Sequence, residues 1–334
     1  MNYLKDYSLP ENPDERRRNL KKPSERGDAM TVKNAVTHKR ALRKTLTPYL
    51  LLAPVIIFIC CFMFWPIINV FVMSLQNHVV TKPKNWGYTG FSHYVKIFTR
   101  DAVFTKSLWT TLRWVVVSVA FQCVLGFWLA YVLNKKFALR GVSRALALTP
   151  WAVAGVMVGI IWKLIMGETY GVFNDLLKRL GIISRNMSWF SNAELATFSV
   201  VLANVWRGIP FFTLSYLAAL SSIPDDLYES AKIDGASAPR TLFSITLPMI
   251  RDTIILTTLL RAIWTFNAVD LIISMTDGGP NRGTTTLALY IMTTFKNKMD
   301  YGYASALSVI ATLAMMVFAF IYIKWGKLGK EGIN

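Results

Sequence analysis

From position 46 to position 75 the chain runs without one charged side chain. A bilayer core needs about 20 apolar residues in a helix. This stretch therefore predicts a membrane span, with length left for tilt or for a kink at Pro54 or Pro66. In hydrocarbon the backbone must satisfy its own polar groups, which leaves a helix as the form of such a segment. Five more apolar runs follow, at about 108–133, 145–166, 195–219, 250–275 and 302–323. The fold class read from them is an all-α membrane protein with six transmembrane helices, which places both termini on one side.

The chain is 53% hydrophobic yet carries a formal charge of +18, a pairing that suits membrane spans with basic flanks better than a soluble domain. The basic residues are not interleaved with a soluble fold, so nucleic acid is a weak explanation of the charge. Residues 1–45 form a basic tail containing Arg16-Arg17-Arg18 and Lys21-Lys22, without the short apolar core of a secretory signal. Of the Lys and Arg residues, 22 fall in 1–45, 134–144, 220–251 and the C-terminal end, against 11 in 76–107, 167–194 and 276–301. Positive-inside bias puts both termini and the 220–251 loop in the cytoplasm. Cys60, Cys61 and Cys123 lie in apolar runs with no pairing pattern and read as lipid-facing or packed thiols.

One polar island breaks the apolar pattern: SIPDDLYESAKIDGASAPRTLFSITLP, Ser222 to Pro248. Pro224 with Asp225 and Asp226 predicts a helix start, because acids favour the positive end of the helix dipole. Leu227 and Ala231 share a face at i,i+4, and Gly235 supplies a stop. Ser237 and Pro239 open a second short helix, which Leu247-Pro248 is expected to interrupt. Small residues (Ser230, Ala231, Gly235, Ala236, Ser237) permit close approach of another backbone, as a docking loop requires.

Glu229-Ser230-Ala231, then Gly235, then Ile245-Thr246-Leu247-Pro248 resembles the EAA signature of ABC importer permeases at every spacing, with Ser230 where the family usually has Ala. Gly90-Phe91, Tyr94, Ile97-Phe98, Phe104, Gly171, Asn174, Leu177, Thr276 to Pro280, Gly302 and Ala304-Ser305-Ala306 extend the likeness to the carbohydrate branch, over roughly 47–325. The resemblance implies a type I importer permease fold in which 222–248 is a cytoplasmic coupling helix seated on a separate ATPase subunit. Glu229, Ser230, Ala231, Asp234 and Gly235 would carry that contact. It also implies a second permease subunit as heterodimer partner, two ATPase subunits, an extracytoplasmic solute-binding protein, and a place in a bacterial inner membrane. The expected division is a tail at 1–45, a permease domain at 46–326 and a cytoplasmic tail at 327–334.

Arg207 and Arg261 lie near the middle of their runs, where a charge costs at least about 2.5–3.5 kcal/mol and should face protein or water. Asp270 is the one acid well inside an apolar run. One carboxylate cannot neutralise two guanidinium groups. The family lines its path with spans four to six, so Arg207, Arg261, Asn204, Trp264, Asn267 and Asp270 are the substrate-path candidates. A guanidinium fork suits carboxylates; the sharper expectation is an acidic, uronate-containing, alginate-like oligosaccharide. The plainer one is that the arginines pair with Asp270, carbonyls or a partner subunit. A neutral sugar or glycerol phosphate is the alternative cargo. Trp206, Phe211, Phe212 and Phe266 are further ring-stacking candidates, while Trp65, Trp86, Trp151, Trp189 and Trp325 fit an interfacial belt.

No GxxxxGK[ST] occurs, so ATP–Mg belongs on partner subunits and this chain is expected to bind no cofactor itself. His38, His78 and His93 are scattered and predict no metal site. No reactive cluster supports an enzyme. An ion-driven secondary transporter would need intramembrane acids or a repeat, and one acid is present.

Overall fold

The computed structural model describes residues 49, 51–135 and 137–326; the tails at 1–45 and 327–334 lie outside the described residues. The chain divides into two compact units, Met1–Asn69 and Val70–Asn334. Helix α1, Leu51–Ser74, carries a π-helical stretch at Cys60–Phe64 just before Pro66. The widened turn accommodates a proline that can neither donate to the ladder nor fit its ring into a regular turn.

After a two-stranded antiparallel hairpin (β1, Gln76–Asn77; β2, Gly87–Tyr88) come α2, Ser92–Arg100, and α3, Ala102–Asn134. Asp101 caps α3, its Oδ1 accepting from the backbone N–H groups of Val103 and Phe104 at 2.9 and 3.0 Å. The run expected at 145–166 is two helices, α4, Arg140–Ala152, and α5, Gly155–Ile165, bent by 98°. Val153 and Ala154 are extended, and α5 is turned so that its Gly155 end meets side chains of later helices. Then come α6, Val172–Arg179, and α7, Ala193–Ser221, capped by Asn192.

The polar island gives α8, Asp225–Ile233, and α9, Ala238–Met249, and α9 meets α10, Arg251–Asn267, at 65°. Leu247-Pro248 does not interrupt α9 as expected. A π-helical stretch at Leu242–Thr246 absorbs the proline, and the break falls at Ile250. The run at 250–275 is likewise not continuous, since α11, Asp270–Met275, restarts after Ala268 and Val269. The described residues close with α12, Leu287–Lys296, and α13, Tyr301–Gly326. Among the described residues four helices are long and apolar enough to cross a membrane, or up to six if each bent pair is one span.

The second unit is organised on α3 and α7. Phe127, Ala130 and Leu133 bury against Phe212, Tyr216 and Leu220. A second cluster joins Trp114 of α3 to Val158, Val200, Leu271 and Leu289, and the Trp114 indole donates to the Thr265 carbonyl at 2.9 Å. Asp101 ties three elements: its Oδ2 accepts from the hydroxyls of Tyr290 in α12 at 2.7 Å and Tyr303 in α13 at 2.6 Å. Burial opposes ionisation of Asp101, but these hydroxyls and the two backbone donors outweigh it and hold the carboxyl below its ordinary range.

Two aromatic expectations are corrected. Trp189 is buried rather than interfacial, because its indole donates to the buried Asn174 Oδ1 at 3.0 Å. Phe212 is fully buried in the α3–α7 seam and offers no ring face to a ligand.

Candidate functional site

The polar island folds into a compact, capped loop. Asp225 and Asp226 occupy the first turn of α8, where unpaired N–H groups favour negative charge. At the other end Gly235 adopts φ +73°, a left-handed conformation that side chains rarely take. That turn lets the Ala236 N–H reach the Ala231 carbonyl at 2.9 Å and the Gly235 N–H reach Lys232 at 3.1 Å, the paired bonds of a Schellman stop. Ile223 and Ile250 anchor the loop in the main core, and the Tyr228 hydroxyl lies 3.3 Å from Thr246 Oγ1.

Glu229, Ser230, Asp234 and Gly235 face outward. Ala231 does not: it is 7% exposed and packs α8 back onto its own chain, so its small side chain serves close approach within the molecule. Apolar side chains are also presented on this loop. Ile233 is 85% exposed and Phe243 68%.

The polar side chains of the helical core form two linked groups. In the first, Arg207 of α7 reaches Asp270 at the start of α11, Nη1 to Oδ2 at 3.3 Å, with the two side chains 25% and 37% exposed. Gly155 opens the space; a Cβ there would overlap both partners. In the second, Arg261 of α10 is 8% exposed and donates from Nε to Gln122 Oε1 of α3 at 2.7 Å. The Gln122 amide donates in turn to the Asn204 carbonyl of α7 at 2.8 Å. Gly208, one turn along α7, is what makes room for that amide. The two guanidinium groups repel each other, and the Asp270 carboxylate pairs with Arg207 alone.

The substrate-path candidates thus separate. Arg207 and Asp270 form an ion pair, as the plainer expectation had it, and Arg261 rests on a neutral amide. Asn204 contributes its backbone carbonyl, while its buried Nδ2 has no partner among the described residues. Trp264 is half exposed and packs on Phe211, ring centroids 5.0 Å apart. Asn267 donates to the Ile263 carbonyl at 3.0 Å and lines a cavity of about 570 Å³ with Phe266, Val269, Ser308 and Met315. Sequence reasoning missed Gln122. A buried amide in the middle of an apolar helix needs a partner, and that requirement was the available signal.

Residues 122–327 match the family described as the binding-protein-dependent transport system inner membrane component. The trehalose/maltose transport system permease protein MalF of Thermococcus litoralis is 34% identical over 298 residues, 89% of this chain and 99% of that protein. The sulfoquinovosyl glycerol transport system permease protein SmoG of Agrobacterium fabrum is 32% identical, over 84% of this chain and 90% of that one. Among solved structures, a chain of a bacterial ABC transporter involved in the import of the acidic polysaccharide alginate superimposes with a TM-score of 0.75. At 22% identity it covers 88% of this chain and all of that one, a likeness of fold. With a family match over most of its length and relatives above 30% identity across more than four-fifths of it, the chain belongs to the binding-protein-dependent inner membrane transport components, the permease subunits of ABC importers.

Proposed function

We propose that this chain is one of two membrane-spanning permease subunits of an ATP-driven importer that takes up oligosaccharides, and that the α8–α9 loop receives an ATPase subunit in the cytoplasm. The observation that carries this reading is the loop itself. It is rigidly capped, anchored in the core, and presents Glu229, Ser230, Asp234 and Gly235 beside an 85% exposed Ile233. Ile233 stands on the outward side of α8 with these residues, where a docked subunit would cover it. The excess of basic residues on the same side of the sequence supports a cytoplasmic location for the loop and both termini. A second permease, two ATPase subunits carrying ATP–Mg, and an extracytoplasmic solute-binding protein complete the assembly. Sugar cargo rests on the named transport of relatives such as the trehalose/maltose and sulfoquinovosyl glycerol permeases.

A second reading concerns the charge of the cargo. Arg261 has no carboxylate partner among the described residues, which favours an anionic oligosaccharide over a neutral one. The test of the assignment is ATP hydrolysis by the assembled complex in proteoliposomes, driven by binding protein loaded with neutral or uronate oligosaccharide. Stimulation by loaded binding protein supports the importer. Uptake that survives ATP depletion while an ion gradient is kept would overturn it in favour of a secondary transporter.

A further inference from the structure

The two central arginines are held by chemically different partners. Arg207 has Asp270, so that pair is neutral as a unit. Among the described residues Arg261 has only the carbonyl end of a carboxamide, which fixes Nε without cancelling the charge. The three charged groups therefore sum to one positive charge, located on Arg261. Gln122 is fully buried and cannot turn freely. Its amide nitrogen is committed to the Asn204 carbonyl, and the groove left by Gly208 holds its side chain. With the amide so oriented, its oxygen has to point at Arg261. The two terminal nitrogens of Arg261 donate to nothing among the described residues, which leaves the fork for a group from outside this chain.

We infer that Gln122 is a positioning residue that sets cargo specificity by presenting Arg261 as an un-neutralised cation to a carboxylate on the transported oligosaccharide. The inference rests on the anionic-cargo reading above. A carboxylate or phenolate in place of Gln122 would silence the charge, and an apolar side chain would release the guanidinium. The amide does neither.

The experiment uses the whole complex, permeases with ATPases, in detergent. Binding of a uronate tetrasaccharide is compared with that of its carboxyl-reduced, neutral counterpart, for wild type, Gln122→Met, Arg261→Gln and the double variant. Wild type is expected to prefer the uronate. Each single variant should weaken uronate binding by about tenfold or more, the scale of one charge-assisted hydrogen bond, and leave the neutral sugar unchanged. The double variant should be no worse than Arg261→Gln, since Gln122 acts through Arg261. If wild type binds both sugars alike or neither, the anionic reading and the inference fall together. If Arg261→Gln abolishes the preference and Gln122→Met keeps it, the inference alone falls. Equal weakening of both sugars by Gln122→Met reduces Gln122 to a packing role and overturns it as well. Should Gln122→Met fail to assemble, Gln122→Glu carries the test, and a retained uronate preference then refutes the proposal.

Discussion

Replacing Gly208 with alanine tests the core of this arrangement without touching a charge. A Cβ at 208 would fall inside the carboxamide of Gln122, so the amide must leave its position. Two bonds are then lost, the 2.8 Å donation to Asn204 and the 2.7 Å bond from Arg261. A neutral hydrogen bond contributes about 1 kcal/mol net and one to a charged group about 1.5–3. Alanine recovers roughly 0.5–1 kcal/mol through its better helix propensity. The balance is a loss of about 1.5–3.5 kcal/mol. Thermal denaturation of the purified complex, followed by loss of its monodisperse elution, reads the effect. Gly141→Ala in α4 is the control, because nothing lies within 4 Å of a Cβ at that position. Gly141→Ala should match or exceed wild type. If Gly208→Ala does the same, Gln122 is not wedged against α7 and the reasoning fails.

Asp101 is expected to give the fold an acid-side dependence. Its folded pKa lies below the ordinary 3.8, so its stabilisation is complete above that value and is lost as pH falls through the lower folded one. Melting curves should show wild type losing more stability than Asp101→Asn between about pH 5 and pH 3, with the variant less stable at neutral pH; parallel curves would exclude the tie. Gly235→Val should strain the left-handed turn by about 1–3 kcal/mol and uncouple ATP hydrolysis from uptake in a complex that still assembles, measured as sugar moved per ATP consumed. Ile233→Asp should reduce co-purification of the ATPase subunits while the permease pair stays intact, as seen on a sizing column. For the partly exposed Arg207–Asp270 pair, a double-mutant cycle with Arg207→Gln and Asp270→Asn should return a coupling of no more than about 1 kcal/mol.

The apolar runs and the α8–α9 loop were legible because both are local. Uncharged stretches of span length and the sequence from Pro224 to Gly235 carry their own start and stop chemistry. The break after Ala152 was not legible as a break. Pro150 sits inside α4, and the chain turns three residues later where Gly155 can pass Arg207 and Asp270, contacts made by residues 52 and 115 positions away. The restart at Asp270 has the same origin. Arg207 and Asp270 could be named as a pair from their rarity in apolar runs. The partners of Gln122 could not, since they lie 82 and 139 residues away and an isolated amide says that it needs a partner without saying which. The inward turn of Ala231 was half visible: the i,i+4 spacing with Leu227 defined a face, yet Leu227 stays exposed while Ala231 is buried.

The carboxylate of Asp101 places one joint under the beginning of α3 and ties it to α12 and α13 through two tyrosine hydroxyls. Helix α3 has 33 residues, a rod of about 50 Å at 1.5 Å per residue. Packed along its length against α7, it would move with that helix as a paired lever. A tilt of about 5° at that joint would carry the far tip, near Asn134, through about 4 Å. There the Ser221 hydroxyl donates to Asn134 Oδ1 at 3.3 Å, just ahead of the α8 loop. Small rotations at one end would thus arrive beside the α8 loop as displacements large enough to alter the contact proposed there.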